Sequence, residues 1–81
     1  MGISEFVEEE VKEFHQKIVN NIKRIRKEKD ITQLDLALTI GHKSMSTIGK
    51  IEADVEGKHY NIEHLYKISK ALDVDVCEFF K

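Results

Sequence analysis

Apolar residues recur along the first third of the chain at Ile3, Val7, Val11, Phe14, Ile18, Ile22 and Ile25, at intervals of three or four. At about 100° per residue these positions keep to one narrow stripe, which predicts a single amphipathic helix from about Ser4 to Lys29. Ser4 is placed to cap it, and Glu5, Glu8, Glu9 and Glu10 suit the positive end of its dipole. The basic run Lys23, Arg24, Arg26, Lys27 and Lys29 suits the other end. Asn20-Asn21 is the weakest point, where such a helix would bend or restart.

Further on, the pattern breaks into short pieces. A second helix is expected from Thr32, with Asp35 reaching back in a capping box, Leu34, Ala37 and Leu38 on its buried side and Gly41 ending it. A third is expected over about Ser44 to Ala53. Projected around that helix, Met45, Ser46, Gly49, Lys50 and Ala53 fall on one side, and Ser44, Thr47, Ile48, Ile51 and Glu52 on the other. The first side has little bulk and one cation, so it can lie close against a partner surface. A loop from Asp54 to Tyr60 turns at Gly57, and Asn61 caps a fourth helix with the stripe Ile62, Leu65, Ile68 and Leu72. Val74, Val76, Phe79 and Phe80 end the chain in a short helix or apolar tail. Two short helices joined by a tight turn, the second with a bare outer face, have the geometry of a reader of the DNA major groove.

At 81 residues, with no proline and no alternating run, the chain is one small all-α domain. No apolar stretch approaches the roughly 20 residues of a membrane span. The acidic Met1–Glu10 segment lacks a secretion pattern, and a lone Cys77 fits a reducing cytoplasm. The formal net charge is −2, which argues against a polyanionic ligand only until the charges are located. Residues 1–13 hold five Glu and one Lys, a local −4, whereas residues 14–60 hold nine Lys/Arg against six Asp/Glu, a local +3. Phosphate binding depends on the face presented, so DNA remains accessible, with modest non-specific affinity. His59 and His64 are five apart and His42 is isolated, which matches no ligand pair on one helix face. Neither catalysis, a metal nor a cofactor is expected.

The ordered set Ile22-Lys23-Arg24-Ile25-Arg26, Ile31-Thr32-Gln33, Leu36-Ala37 with Gly41, Ser44 to Glu52, and Ile62 to Val74 resembles the lambda-repressor-like (Cro/phage-repressor, xenobiotic-response-element) helix-turn-helix family. The likeness covers roughly Ile18 to Phe80 and implies an all-α, five-helix domain over residues 15–81, preceded by an acidic helical extension over residues 1–14. It also implies that Gln33 bonds a phosphate and braces the recognition helix, that Ser44, Met45 and Ser46 meet bases and phosphates, and that Lys50 lies further along the same side. Gly49 belongs to that outward face, and Arg26 and Glu52 match a structural ion pair between helices one and three. Lys43 and Lys58 flank the recognition helix in loops and are candidates for phosphate, as are Arg24 and Lys27. The turn Gly41-His42-Lys43-Ser44 is one residue longer than the common pattern, and the loop before Asn61 about two longer. Tyr60 replaces a usual proline, Met45 stands where Gln or Arg often reads bases, and Asp30 and Asp73 stand where glycine often ends a helix.

The function these readings imply is a DNA-binding transcriptional regulator, repressor or activator, that holds a palindromic operator as a homodimer. The alternative is a protein-interaction module, such as an antitoxin or adaptor, whose acidic N-terminal helix engages a protein partner. Both the Phe6–Phe14 stripe and the Val76–Phe80 tail are apolar surfaces that require cover, from the body or from a second copy.

Overall fold

A computed structural model describes residues 3–81, with side chains from Val7 onward; the expected Ser4 cap and the Ile3, Glu5 and Phe6 side chains lie outside the described residues. Four α-helices follow in order: α1 (Ile3–Glu28), α2 (Gln33–Thr39), α3 (Ser46–Glu52) and α4 (Ile62–Leu72). In place of a fifth α-helix the chain forms a single 3-10 helix, Val76–Phe80, and no strand occurs among the described residues.

The long stripe produces one unbroken helix through Asn20-Asn21. Asn21 serves a purpose there, because its side-chain amide donates to the Phe79 carbonyl at 2.9 Å and ties the C-terminal 3-10 helix to α1. The molecule measures 43 × 25 × 20 Å, and a 26-residue helix runs about 39 Å at 1.5 Å per residue. So α1 forms the long axis. Its lower half is buried through Ile18, Val19, Ile22 and Ile25, while Val7, Val11 and Phe14 on the same stripe stay exposed. Asp30 ends α1 in the left-handed region at φ 57°, and Asp73 ends α4 at φ 55°, each taking a conformation more often given to glycine.

The lower half of α1 packs against α3 and the C-terminal 3-10 helix, α2 packs on α3 and α4, and α4 meets the 3-10 helix. Leu36, Ala37, Ile40, Ile48, Ile51, Tyr60, Leu65, Ile68, Leu72 and Phe79 complete one core. Two expected faces are rotated. In α2, Leu34 and Leu38 point outward and Leu36 is buried, because α2 meets α3 and α4 on the side of Leu36, Ala37 and Ile40. In α4, Ile62 is 86 % exposed and Ser69 is buried instead, since the first turn of α4 projects past the core and Ser69 satisfies its hydroxyl on the Tyr66 carbonyl at 2.6 Å. Thr32 accepts from the Asp35 backbone at 3.0 Å, yet α2 shows only this half of the expected capping box. The full box occurs at α4, between Asn61 and His64.

One polar group is deeply enclosed among these apolar contacts. Arg26 of α1 grips Glu52 of α3 in a bidentate pair, with Nε to Oε2 and Nη2 to Oε1 both at 2.9 Å, and its Nη1 donates to the Ile31 carbonyl at 2.8 Å. Both side chains are almost wholly buried. The histidines also meet in pairs across the fold. His15 of α1 stacks on His59 of the α3–α4 loop at 3.9 Å between ring centres, and His42 of the α2–α3 turn lies 5.5 Å from His64. Burial, then the neighbouring imidazole, holds His15 below the ordinary histidine value; burial, then His42, does the same for His64.

The ion pair and the histidines can each be tested by unfolding. Glu52→Ala leaves a guanidinium buried without its counter-charge and should destabilise the fold by about 3–5 kcal/mol, whereas replacing Arg26 and Glu52 together by Met and Leu should lose far less; urea melts decide between them. For the histidines, the unfolded chain takes the proton more readily than the folded one. Their contribution is therefore present above the ordinary value of 6.5 and lost as pH falls through the depressed folded value. The melting temperature should drop as pH is lowered from about 7 to about 5.5, and His15→Gln with His64→Gln should flatten that drop. A melting temperature of the unsubstituted chain that stays level over that interval contradicts the assignment.

Candidate nucleic-acid interface

The outer face of α3 follows from what its inner face must do. Ile48 and Ile51 are buried in the core and Glu52 is held by Arg26, so the helix has one rotational setting. In that setting Met45, Ser46, Lys50 and Ala53 are exposed and Gly49 is half-buried. This is the bare side the projection describes.

The helix itself starts later than expected. It begins at Ser46 with Met45 at the N-cap, and Met45 offers no side-chain cap. Ser44, expected inside the helix, lies in the bend before it. Its hydroxyl reaches the Ser46 amide at 3.4 Å and the Ser46 hydroxyl at 2.9 Å. Gly41 takes φ 92°, and His42 to Met45 complete the turn before the chain recoils into α3. Ser44, Met45 and Ser46 thus sit side by side at the exposed entrance of α3.

Gln33 opens α2 beside α3. Its amide donates to Glu52 Oε1 at 2.9 Å, so one carboxylate joins α1, α2 and α3. A side chain added at Gly49 would meet only Gln33 Oε1, at 3.6 Å. That is an ordinary contact. The fold therefore has room for alanine at Gly49, although glycine in a helix interior costs about 1 kcal/mol relative to alanine.

Lys43 in the turn and Lys58 in the α3–α4 loop are both exposed on either side of α3 in the chain. Lys50 lies 3.8 Å from Glu56, a loose surface pair that spacing along a helix could not reveal. It forms because the chain reverses after α3, with Asp54, Glu56 and Gly57 all at positive φ. Of the two α1 candidates, Arg24 is engaged by Glu28 at 3.2 Å and Lys27 is exposed. Cys77 is exposed, but its hydrogen bond to Asp75 raises the thiol above its ordinary value, which disfavours the nucleophilic thiolate. No group of three or more potential metal ligands gathers among the described residues, and no helix there is long and apolar enough to cross a membrane.

Comparison with known proteins agrees with this geometry. Residues 22–79 match the family model for helix-turn-helix domains of the Cro/C1, XRE-like type. No curated protein and no solved structure gives a significant match. The matched span runs from the buried middle of α1 to Phe79, the last core residue, and so takes in every element that sets the attitude of α3. The chain belongs to the Cro/C1-type helix-turn-helix family of DNA-binding transcription regulators.

Proposed function

We propose that this protein recognises a specific, roughly two-fold symmetric operator as a homodimer and sets transcription by occupying it, as repressor or activator. It would act in the cytoplasm, where the DNA is. The observation that carries this reading is the low relief of α3, where exposed Met45, Ser46 and Lys50 surround a glycine that the fold does not require. An unneeded glycine on an exposed helix reduces stability, so close approach by a ligand is the reason for it that fits this face.

In this reading α3 enters the major groove. Ser46 and Lys50 hydrogen-bond base edges, and Met45 lays its thioether against a thymine methyl. Lys43, Lys58 and the Ser44 hydroxyl hold phosphates and set the register, and Gln33 does so too while bracing α3 through Glu52. Two copies would place their α3 helices about 34 Å apart along the duplex. The outward side of α3 itself carries Lys50 and no carboxylate of the helix, so a net charge of −2 is compatible with a basic contact face.

Selection of duplexes from a random pool, followed by fluorescence anisotropy, tests the reading. Enrichment of a symmetric sequence with a steep salt dependence is expected; no enrichment at low salt would favour the adaptor alternative. Ser46→Ala and Lys50→Ala should each weaken the selected site by about 1–3 kcal/mol per base contact and leave random duplex unchanged. Lys58→Ala should weaken all sequences alike and lower the salt slope by about one for each phosphate that Lys58 neutralises. Gly49→Ala should raise unfolding stability by about 0.5–1 kcal/mol while it weakens binding. A variant that is stabilised and binds undiminished removes α3 from the interface.

A further inference from the structure

The exposed part of α1 carries a regular apolar seam that the body does not cover. Val7, Val11, Phe14 and Ile18 are spaced 4, 3 and 4, the heptad repeat of a helix that pairs with another helix. Val7, Val11 and Phe14 are 45 %, 46 % and 50 % exposed, whereas Ile18 is buried where α1 meets the body. At that junction the seam runs into an apolar groove of about 710 Å³, formed by Phe14, Ile18, Tyr60, Ile62, Leu65 and Phe80. One wall is Ile62, the most exposed large hydrophobic residue of the described chain, and another is Phe80, whose ring lies 5.8 Å from that of Phe14. Seam and groove form one continuous surface.

We infer that this surface is where a second copy of the chain docks, with the two α1 helices antiparallel about a two-fold axis near residues 12 and 13. This rests on the homodimer in the proposed function and specifies its interface. Charge selects both the occupant and the direction. The first half of α1 holds Glu8, Glu9, Glu10 and Glu13 beside a single base, Lys12, and the next base along the helix is Lys17. A parallel pair sets the acidic halves against each other, which is repulsive; an antiparallel pair about residues 12 and 13 brings Glu8 and Glu10 to Lys17, and Glu13 to Lys12, of the neighbour.

The heptad then fixes the register. Val11 packs on Phe14 of the second copy, and Val7 enters the mouth of the groove above the buried Ile18, beside Ile62 and Phe80. Glu10 and Lys17 occupy equivalent flanking positions, so each Glu10 faces Lys17 of the second copy. Both are exposed, and neither makes an ion pair within its own chain among the described residues. They are seven residues apart, two helical turns, and cannot reach each other in one helix. The seam is short, so the dimer forms and dissociates with concentration.

Sedimentation equilibrium on the intact 81-residue chain without DNA tests the inference. A concentration-dependent dimer is expected, and a monomer at every accessible concentration overturns it. Val11→Glu should abolish the dimer with helix content unchanged, because that side chain is exposed in the monomer. Glu10→Lys and Lys17→Glu should each raise the dissociation constant by about fivefold or more, and the double swap should restore it; no restoration contradicts the register. In a Cys77→Ser background, an equimolar mixture of V11C and F14C chains should oxidise mainly to the mixed V11C–F14C disulfide, whereas a predominance of the two homodisulfides indicates a parallel pair. Because DNA is absent from all these measurements, a failed seam leaves groove reading by α3 standing. Conversely, a dimer that selects no duplex leaves the seam standing.

Discussion

The Glu52 carboxylate is the constraint on which the rest of this domain depends. Burying a charge is strongly unfavourable unless its partners are in place, and here Arg26 fills both oxygens while Gln33 shares one of them. Arg26 in turn closes the end of α1 by holding the Ile31 carbonyl. One anion thereby fixes the relative attitude of α1, α2 and α3, which apolar packing alone would leave freer to slide. Recognition of a base edge requires a helix placed to within a fraction of an ångström. An exposed α3 of only seven residues could not achieve that unaided.

That clamp also explains why a domain so poor in positive charge can serve a polyanion. With Glu52 turned inward and neutralised by Arg26, the outer face of α3 carries Lys50 and hydroxyl groups, and no carboxylate of its own. The acidic residues are concentrated in the first half of α1, where Glu8 lines a cleft that also takes in Lys58 of the α3–α4 loop. The same helix is core in one half and half-exposed surface in the other, so its amphipathic stripe enters the core only from Ile18 onward.

Much of the architecture is legible in the chain because it rests on local rules. A repeat of three and four residues over so long a span has no reading but a helix, and it overrides the weak Asn20-Asn21 point once Asn21 finds the Phe79 carbonyl. Gly41 and Gly57 do take positive φ, and Thr32 and Asn61 do cap their helices. Short helices are harder to read. Seven residues make under two turns, so the stripe of α2 has two near-equal solutions, and packing on α3 and α4 chooses Leu36 over Leu34 and Leu38. The entry to α3 lies later than spacing predicts, since Ser44 and Met45 stay in the bend and the first helical residue is Ser46.

What the chain determined by itself is a list of helices, their caps and an ordered set of family positions, because hydrogen bonding within a turn and a 3.6-residue period are encoded locally. Only the tertiary structure decided which residues meet across long separations. It brought Arg26 and Glu52 into one clamp, His15 onto His59, Lys50 beside Glu56, and left Ile62 in the open next to Phe80. The physical reason is that such meetings depend on how helices rotate and cross to fill a common core, and that fit is a property of all the packed side chains at once.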